Sequence, residues 1–318
     1  MNLDFSNAKQ CKFTLSASEL RTFCDCPRKR YYSSRDCLAI RETTKSTALQ
    51  IGSAFHEAIA YYYLSIQKVL DFENIEKPSD YEVEAAYNTV EPYQFPEDAG
   101  LTEDDLKTLK NMLECYLPTL LNDLTIYHFD AAEQSFRMQD WPIEDVVYHG
   151  SIDLVVTKYE DGKIYYYENK TCKDFRPEIY SRFDIQLHIY DQYGCRTHQD
   201  NWGGMILNQV KKSKTSRGYG ESRELYQYDS TERAEFLNWL YAKTKALVSP
   251  ENHHAPCNNY MTCKMCQFMS ICMKYGYAVP KTHEEIAEND FFSTTDESGN
   301  KTYMYKYDPR EEVKDESN

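Results

Sequence analysis

The 318-residue sequence has the composition of a globular protein, with 41% hydrophobic and 27% charged residues. Its formal net charge of −15 at pH 7 excludes a uniformly basic nucleic-acid coat, although binding a polyanion needs only a local basic track. It contains no apolar run long enough to span a bilayer and no N-terminal secretion signal. A cytoplasmic location without membrane association is therefore expected, where eleven cysteines would not form a disulfide framework.

The chain alternates between helical and strand-like segments. Ser16 and Glu19 have capping-box spacing, which predicts a helix that starts at Ser16 or Ser18 and that Pro27 breaks or kinks. Apolar periodicity and caps predict further helices over 46–70, 102–124, 178–195 and 232–248. Short alternating runs predict strands over 130–138, 147–158, 163–170, 204–211 and 222–228. This order predicts an α/β core with helical elaborations.

The predicted hairpin over the second and third strands places three charged side chains on one patch. Glu168 and Lys170 are two residues apart and therefore share a face of their strand. Asp153 lies on its strand's polar face. A two-residue turn at Asp161-Gly162 would put Asp153 across from Lys170, whereas an earlier or longer turn would put it across from Glu168. Either register brings the three charged side chains together.

Two carboxylates and a lysine on one patch suit metal-assisted phosphodiester hydrolysis. Asp153 and Glu168 can hold Mg²⁺ or Mn²⁺, which lowers the pKa of a bound water. Lys170 can orient that water and stabilise the negative charge that develops at phosphorus. The alternative is a surface set of weakly paired charges, and the triplet alone favours that alternative.

The pattern of Asp153, fourteen residues and then Glu168-Asn169-Lys170 resembles the core of the PD-(D/E)xK nuclease superfamily. More narrowly, it resembles the RecB-like exonuclease branch, which includes CRISPR-associated RecB-like exonucleases and phage-encoded relatives. The resemblance implies a restriction-endonuclease-like central mixed sheet flanked by helices, with a helical N-terminal insertion and a Cys-rich C-terminal clasp. Asn169 would be the variable middle residue of the motif, and its side chain is expected to matter least because it faces away.

Two helical segments also resemble motifs of this branch. In "IGSAFHEAIAYYY", Gly52 and His56 are one helical turn apart, and the resemblance implies that His56 is a further metal ligand. In "RFDIQLHIYDQY", Gln186 and Tyr190 match a Gln-x-x-x-Tyr motif that contacts nucleic acid or supports the lysine. Glu133 is a weaker match to an auxiliary acid. Without the hairpin, His56 and Tyr190 would be better explained as ordinary helix-packing residues.

A cysteine cluster near the C-terminus predicts a metal centre. Three of its cysteines form a compact set of soft ligands suited to zinc or an iron–sulfur cluster: Cys263, Cys266 and Cys272. With Cys257 they would make a complete zinc site. The resemblance instead implies a [4Fe–4S] cluster that joins the two ends of the chain, with Cys26 as the fourth ligand. Cys24 or Cys257 could substitute for one of these four ligands.

Two basic clusters would contact DNA phosphates: Arg28-Lys29-Arg30 and Lys211-Lys212. Taken alone, each cluster is better explained as a solvated loop. We expect one nuclease domain over 1–280, followed by an acidic, flexible tail over 281–318 that carries eleven Asp and Glu against five Lys and Arg.

The expected function is a metal-dependent deoxyribonuclease, an exonuclease that acts on DNA ends or single strands and carries a structural iron–sulfur cluster. Expected partners are DNA and a helicase, recombination or CRISPR-adaptation protein, in a bacterial cytoplasm or that of a phage-infected host. DNA repair, phage DNA processing and CRISPR spacer acquisition all use this chemistry. Two alternatives remain: a non-catalytic nucleic-acid-binding or assembly module with the same fold, and a zinc-stapled protein without nuclease activity.

Overall fold

The computed structural model describes residues 13–33, 38–39, 47–96, 100–249, 252, 260–264, 266, 268–269, 272, 291–295 and 301–305. The chain forms two compact units. Unit 1 comprises 1–44, 139–148 and 237–318, and unit 2 comprises 45–138 and 149–236. The domain boundary predicted at residue 280 lies outside the described residues.

The elements follow one another in this order: β1 (Phe13–Ser16), α1 (Ala17–Asp25), α2 (Pro27–Ser33), β2 (Leu38–Ala39), α3 (Thr47–Phe72), α4 (Asp80–Tyr87), α5 (Glu103–Ile126), β3 (Tyr127–Gln139), β4 (Val146–Lys158), β5 (Ile164–Cys172), α6 (Glu178–Arg182), α7 (Ile185–His198), β6 (Trp202–Lys211), β7 (Glu221–Tyr226), α8 (Ser230–Val248), α9 (Tyr260–Lys264), β8 (Phe291–Thr295) and β9 (Lys301–Tyr305).

The central sheet has the mixed topology that the resemblance implied. Strands β4, β5, β6 and β7 are neighbours in that order, β3 pairs with β4, and β1 pairs with β4 as well. The β5–β6 pair is parallel, whereas β4–β5 and β6–β7 are antiparallel. Strand β6 is buried along almost its whole length, as expected of a central strand covered on both faces. This sheet and its helices confirm the α/β fold class.

The two faces of β5 meet different helices of unit 2. Tyr167 belongs to the main apolar core together with Phe55 of α3 and Leu109 of α5. Tyr166 points the other way, where its ring stacks on Tyr193 of α7 with the ring centroids 6.2 Å apart. Because side chains alternate along a strand, Glu168 and Lys170 lie on the α7 face and Asn169 lies on the face of α3 and α5.

Caps decide where several helices begin. The Ser16 side chain accepts from the Glu19 N–H at 3.3 Å and Glu19 accepts from the Ser16 N–H at 3.0 Å, which confirms the predicted capping box of α1. The helix predicted over 178–195 is instead two helices, α6 and α7. Asp184 interrupts it because its carboxylate accepts from the Gln186 N–H at 2.8 Å and so caps a new helix.

The first element described in unit 1 is β1, whose Phe13 N–H donates to the Asp145 carbonyl at 3.0 Å. The rings of Tyr32 in α2 and Phe268 lie 5.4 Å apart and are both buried. Strands β8 and β9 lie within the segment predicted to be a tail, and β9 pairs with β2 in a three-stranded sheet. None of the helices in the described ranges is long and apolar enough to cross a membrane.

Candidate functional site

The β4–β5 register sets the position of the first carboxylate. The paired residues run from Thr157 opposite Ile164 to Leu154 opposite Tyr167, so the next positions in this register are Asp153 and Glu168. Beyond the last pair, Asp153 Oδ2 accepts from the Asn169 backbone N–H at 2.6 Å. Of the two registers that the sequence left open, the structure therefore has the one with the longer turn.

The lysine and the second carboxylate form a polar cluster with α7. Lys170 Nζ forms an ion pair with Glu168 Oε1 and donates to Gln186 Oε1 at 3.2 Å. Gln186 Nε2 in turn lies 2.9 Å from Glu168 Oε2 and 3.1 Å from the Tyr190 hydroxyl, which donates to the Ser151 carbonyl at 2.9 Å. One glutamine side chain thus connects both charged groups of the Glu168-Asn169-Lys170 motif.

The histidine reaches the site from α3, on the other side of Asp153. His56 Nδ1 lies 3.7 Å from Asp153 Oδ2. One turn earlier, a Cβ atom built on Gly52 would lie only 3.0 Å from Thr171 Oγ1 of β5. Glycine at this position therefore allows α3 to approach β5 closely enough for His56 to reach Asp153.

Burial and mutual repulsion disfavour negative charge on the two acids. Burial raises the pKa of Asp153 to about 6, although the Asn169 N–H opposes the shift. Burial and the Asp153 charge raise the pKa of Glu168 to about 7. Burial opposes the charge on Lys170, but Glu168 and Asp153 raise its pKa above the ordinary value. Burial lowers the pKa of His56, so its imidazole is neutral near pH 7.

This donor set fits a hard divalent cation in its chemistry. A neutral imidazole and two carboxylates are suitable ligands, and a cation would offset the burial and the neighbouring negative charges that raise both carboxyl pKa values. The atoms of His56 and Asp153 are spaced so that one cation could lie between them, whereas both Glu168 oxygens are engaged by Lys170 and Gln186. In the part of the chain that the structure describes, no three His, Cys, Asp or Glu side chains already converge as a metal site.

Glu133 and Ser151 extend the polar cluster along β3 and β4. The Ser151 hydroxyl donates to Glu133 Oε2 at 3.0 Å. The charge of Glu133 contributes to raising the pKa of Asp153, so the two side chains interact. Glu133 has a φ of 48°, a left-handed conformation that non-glycine residues seldom adopt within a strand. Sequence reasoning missed Ser151, because a single serine in a strand carries no distinctive signal.

A small cleft of about 180 Å³ opens at this cluster and is lined by residues of β5, β6, α7 and the loop that follows β5: Glu168, Lys170, Thr171, Cys172, Asp174, Arg176, Asp184, Leu187, Leu207 and Gln209. Lys211 Nζ lies 4.6 Å from the centroid of the Phe175 ring in that loop. Lys212 lies close enough to His56 that its charge disfavours protonation of the imidazole. This predicted basic pair is therefore near the site.

The other predicted basic cluster lies in unit 1. Arg28 is only 1% exposed, and its guanidinium hydrogen-bonds the Cys272 thiol, so it does not present a free surface charge. Lys29 and Arg30 are half-buried, and Arg30 Nη2 lies 3.8 Å from a Glu19 oxygen. The run of basic residues in the sequence does not by itself show that Arg28 is buried.

Four of the cysteines that the structure describes in unit 1 are partly or fully buried thiols: Cys26, Cys263, Cys266 and Cys272. Burial raises the pKa of Cys266, and the nearby Cys26 and Cys263 raise it further. Burial raises the pKa of Cys272 as well, and the nearby Cys266 and Cys26 raise it further. Cys24 is exposed, and Cys257 lies outside the described residues.

The middle residue of the motif faces away from the cleft, as predicted, but its side chain is 2% exposed and hydrogen-bonded. Asn169 Oδ1 accepts from Asn208 Nδ2 at 2.9 Å, and the same nitrogen lies 2.9 Å from the Tyr116 hydroxyl. Tyr116 also accepts from Arg223 Nη2 at 3.0 Å, and Arg223 forms an ion pair with the buried Asp123. A buried polar network therefore supports β5 from behind, which sequence reasoning did not find.

Comparison with known proteins gives the family. SSO0001, a protein with a crystal structure, is 16% identical in sequence to this chain. The match covers 87% of this chain and 92% of SSO0001, with a TM-score of 0.35. A candidate exonuclease from Eubacterium rectale is 11% identical, with 91% and 98% covered at a TM-score of 0.44. No curated protein matches the sequence. The family model of the PD-(D/E)XK nuclease superfamily matches residues 14–273, so the chain belongs to that superfamily.

Proposed function

We propose that this chain is a metal-dependent DNA nuclease of the RecB-like branch that hydrolyses phosphodiester bonds, as an exonuclease on DNA ends or single strands. The observation that carries the proposal is the joint placement of Asp153, Glu168 and Lys170, with Gln186 bonded to both members of the ion pair. A surface set of charges would not need a buried glutamate. Membership in a nuclease superfamily supports the same chemistry.

The residues divide the work between binding and catalysis. Asp153, Glu168 and His56 would hold Mg²⁺ or Mn²⁺, which when bound polarises the phosphate and acidifies a water. Lys170 orients that water and stabilises the negative charge that develops on the phosphate. Gln186 holds Lys170 and Glu168 in position, and Tyr190 holds Gln186 from one helical turn away.

The decisive experiment is cleavage of end-labelled single-stranded and duplex DNA with Mg²⁺, Mn²⁺ or EDTA. Wild-type protein should degrade DNA only with a divalent cation, and Lys170→Met and Glu168→Gln should lower the rate by at least about a hundredfold. Lys68→Ala, at an exposed lysine of α3 about three helical turns beyond His56, is the matched control and should retain activity. Equal cleavage by all variants would refute the assignment of the site.

We further propose that unit 1 binds a structural [4Fe–4S] cluster through Cys26, Cys263, Cys266 and Cys272. Cys26 helps to raise the pKa of both Cys266 and Cys272, and Cys263 acts on Cys266 in the same way. This supports the ligand set, because such effects require the thiols to be close. Soft thiolates suit iron–sulfur clusters and zinc alike. Anaerobic purification should yield a brown protein with broad absorption in the visible range, which Cys266→Ser should remove. A colourless protein with stoichiometric zinc would refute the cluster.

DNA is the proposed partner, and Lys211 and Lys212 are proposed to contact its phosphates. Lys211 is the last residue of β6 and lies over Phe175 of the loop that lines the cleft, and Lys212 follows it and donates its N–H to the Cys172 carbonyl at 2.8 Å. Replacing the pair by alanine should weaken DNA binding and lessen its dependence on salt, because fewer counterions would be released. The protein partner expected from the resemblance, a helicase, recombination or CRISPR-adaptation protein, can be identified by co-purification with the full chain.

A further inference from the structure

Three large apolar side chains are exposed to solvent on the segment between Arg176 and Asp184, two residues that line the cleft. The exposed fractions of Ile179, Tyr180 and Phe183 are 65%, 68% and 72%. All three belong to α6 or follow it directly, and we call them the aromatic rim. Neighbouring exposed apolar side chains on a soluble protein mark a binding surface more often than isolated ones do.

The backbone that carries the aromatic rim is fastened on both sides. Before α6, the Arg176 N–H donates to the buried Gln209 of β6 at 2.9 Å, and Arg176 Nη1 lies 2.5 Å from an Asp184 oxygen. At the end of α6, Arg182 forms an ion pair with Glu232 of α8. The exposed rings are therefore presented by an anchored segment, which reduces the entropy lost when a ligand binds.

The same segment forms one wall of the cleft. Asp174, Arg176 and Asp184 line the cavity of about 180 Å³ together with Glu168 and Lys170. A ligand that places a phosphate at Lys170 would thus have its neighbouring groups within reach of the aromatic rim.

Three lysines lie between the cleft and the segment that carries the exposed rings. Lys170 is 38% exposed on its side chain, Lys173 is exposed at the start of the segment, and Lys211 lies over the ring of Phe175. The segment itself is balanced in charge, because Asp174, Glu178 and Asp184 accompany its cations. The lysines can contact the phosphates of a polyanion, and the exposed rings complement one whose own rings are uncovered. Single-stranded nucleic acid has this chemistry, whereas duplex bases stack on one another and offer no free face.

We propose that the aromatic rim stacks on unpaired bases of single-stranded DNA that enters the cleft. The rim would then favour single strands, including the frayed or unwound ends of a duplex, among the DNA substrates of the proposed function. This inference rests on the proposed nuclease function. Tyr180 and Phe183 supply the stacking faces, and Ile179 covers the edge of the bound base.

The test compares an ordinary single-stranded oligonucleotide with one of the same length whose central nucleotides lack bases. Phe183→Ala and Tyr180→Ala should raise KM for the ordinary strand about 5- to 150-fold, with a smaller effect on kcat. Neither substitution should change KM for the strand without bases, because no stacking is lost there. Phe183→Trp should retain wild-type KM. Phe72→Ala, at an 87% exposed phenylalanine at the end of α3, is the matched control.

Two outcomes would overturn the inference: a wild-type KM for Phe183→Leu, since leucine is apolar but has no ring to stack, or an equal loss for both oligonucleotides. The proposed function is judged separately, by whether wild-type protein cleaves any DNA. If it does not, fluorescence anisotropy with the same two oligonucleotides still measures how tightly wild type and Phe183→Ala bind each strand. Equal affinity of the two proteins for both strands would then refute base stacking by the aromatic rim as well.

Discussion

Replacing Asn169 by alanine separates two expectations for the middle residue of the Glu168-Asn169-Lys170 motif. From strand parity alone, the side chain faces away from the cleft and is expected to matter least of the three. In the structure, its amide oxygen accepts from Asn208 Nδ2 at 2.9 Å in a region where both asparagines are buried. Truncation leaves Asn208 with Tyr116 as the partner of its amide nitrogen.

The expected cost follows from that one lost bond. Leaving a buried amide incompletely bonded costs about 1–3 kcal/mol. In a domain of roughly 150–250 residues, each kcal/mol corresponds to about 2–4 °C in Tm, so Asn169→Ala should lower Tm by about 2–12 °C. Activity should fall too, because the Asn169 backbone N–H orients Asp153 at 2.6 Å and β5 loses its support from behind.

Thermal unfolding followed by circular dichroism measures the effect, with Asn201→Ala as the control at an exposed asparagine of the same unit. The control should stay within about 0.5 kcal/mol of wild type. A double-mutant cycle with Asn208→Ala should give a coupling energy of about 0.5–3 kcal/mol between the two asparagines. An unchanged Tm for Asn169→Ala, or strictly additive effects, would refute the role of the network.

Three further outcomes are expected. Gly150→Ala should lower Tm by several degrees, because its Cβ would lie 2.9 Å from the Tyr190 hydroxyl, and overpacking costs about 1–3 kcal/mol. Arg223→Met should lower the free energy of unfolding by about 3–5 kcal/mol in a denaturant titration, because Asp123 would be left as a buried acid without its cation. The free energy of unfolding of metal-free protein should fall as pH rises from 4.5 to about 7, because the raised pKa of Glu168 makes the folded state hold its proton more tightly than the unfolded state does. Urea titrations of Glu168→Gln should show a weaker dependence of this free energy on pH, and a dependence as steep as that of wild type would contradict the prediction.

The parts of the site that the sequence predicted are those with local signals. Parity placed Glu168 and Lys170 on one face, and helical spacing placed Gln186 one turn from Tyr190. The β4–β5 register was left open because it depends on turn length, which Asp161-Gly162 does not determine alone.

What the sequence could not predict depends on partners far along the chain. Asn208 lies 39 residues from Asn169 and 92 residues from Tyr116, and no sequence pattern between them predicts that their side chains hydrogen-bond. Asp184 is an instructive intermediate case: aspartate is a favoured helix cap, so the break between α6 and α7 carried a signal that apolar periodicity outweighed. The break between α6 and α7 leaves Phe183 exposed, so the aspartate at position 184 also shapes the aromatic rim.

Strand β5 shows why the rear face matters for the candidate site. Its parallel partner β6 places Leu207, Asn208 and Gln209 opposite Glu168, Asn169 and Lys170. Because side chains alternate, a one-residue slip would move both charged groups into the apolar core and bring Asn169 to the cleft. The Asn169–Asn208 bond exists only in the native register, so it opposes that slip directly. The polar network behind the sheet thereby fixes which face presents the glutamate and the lysine.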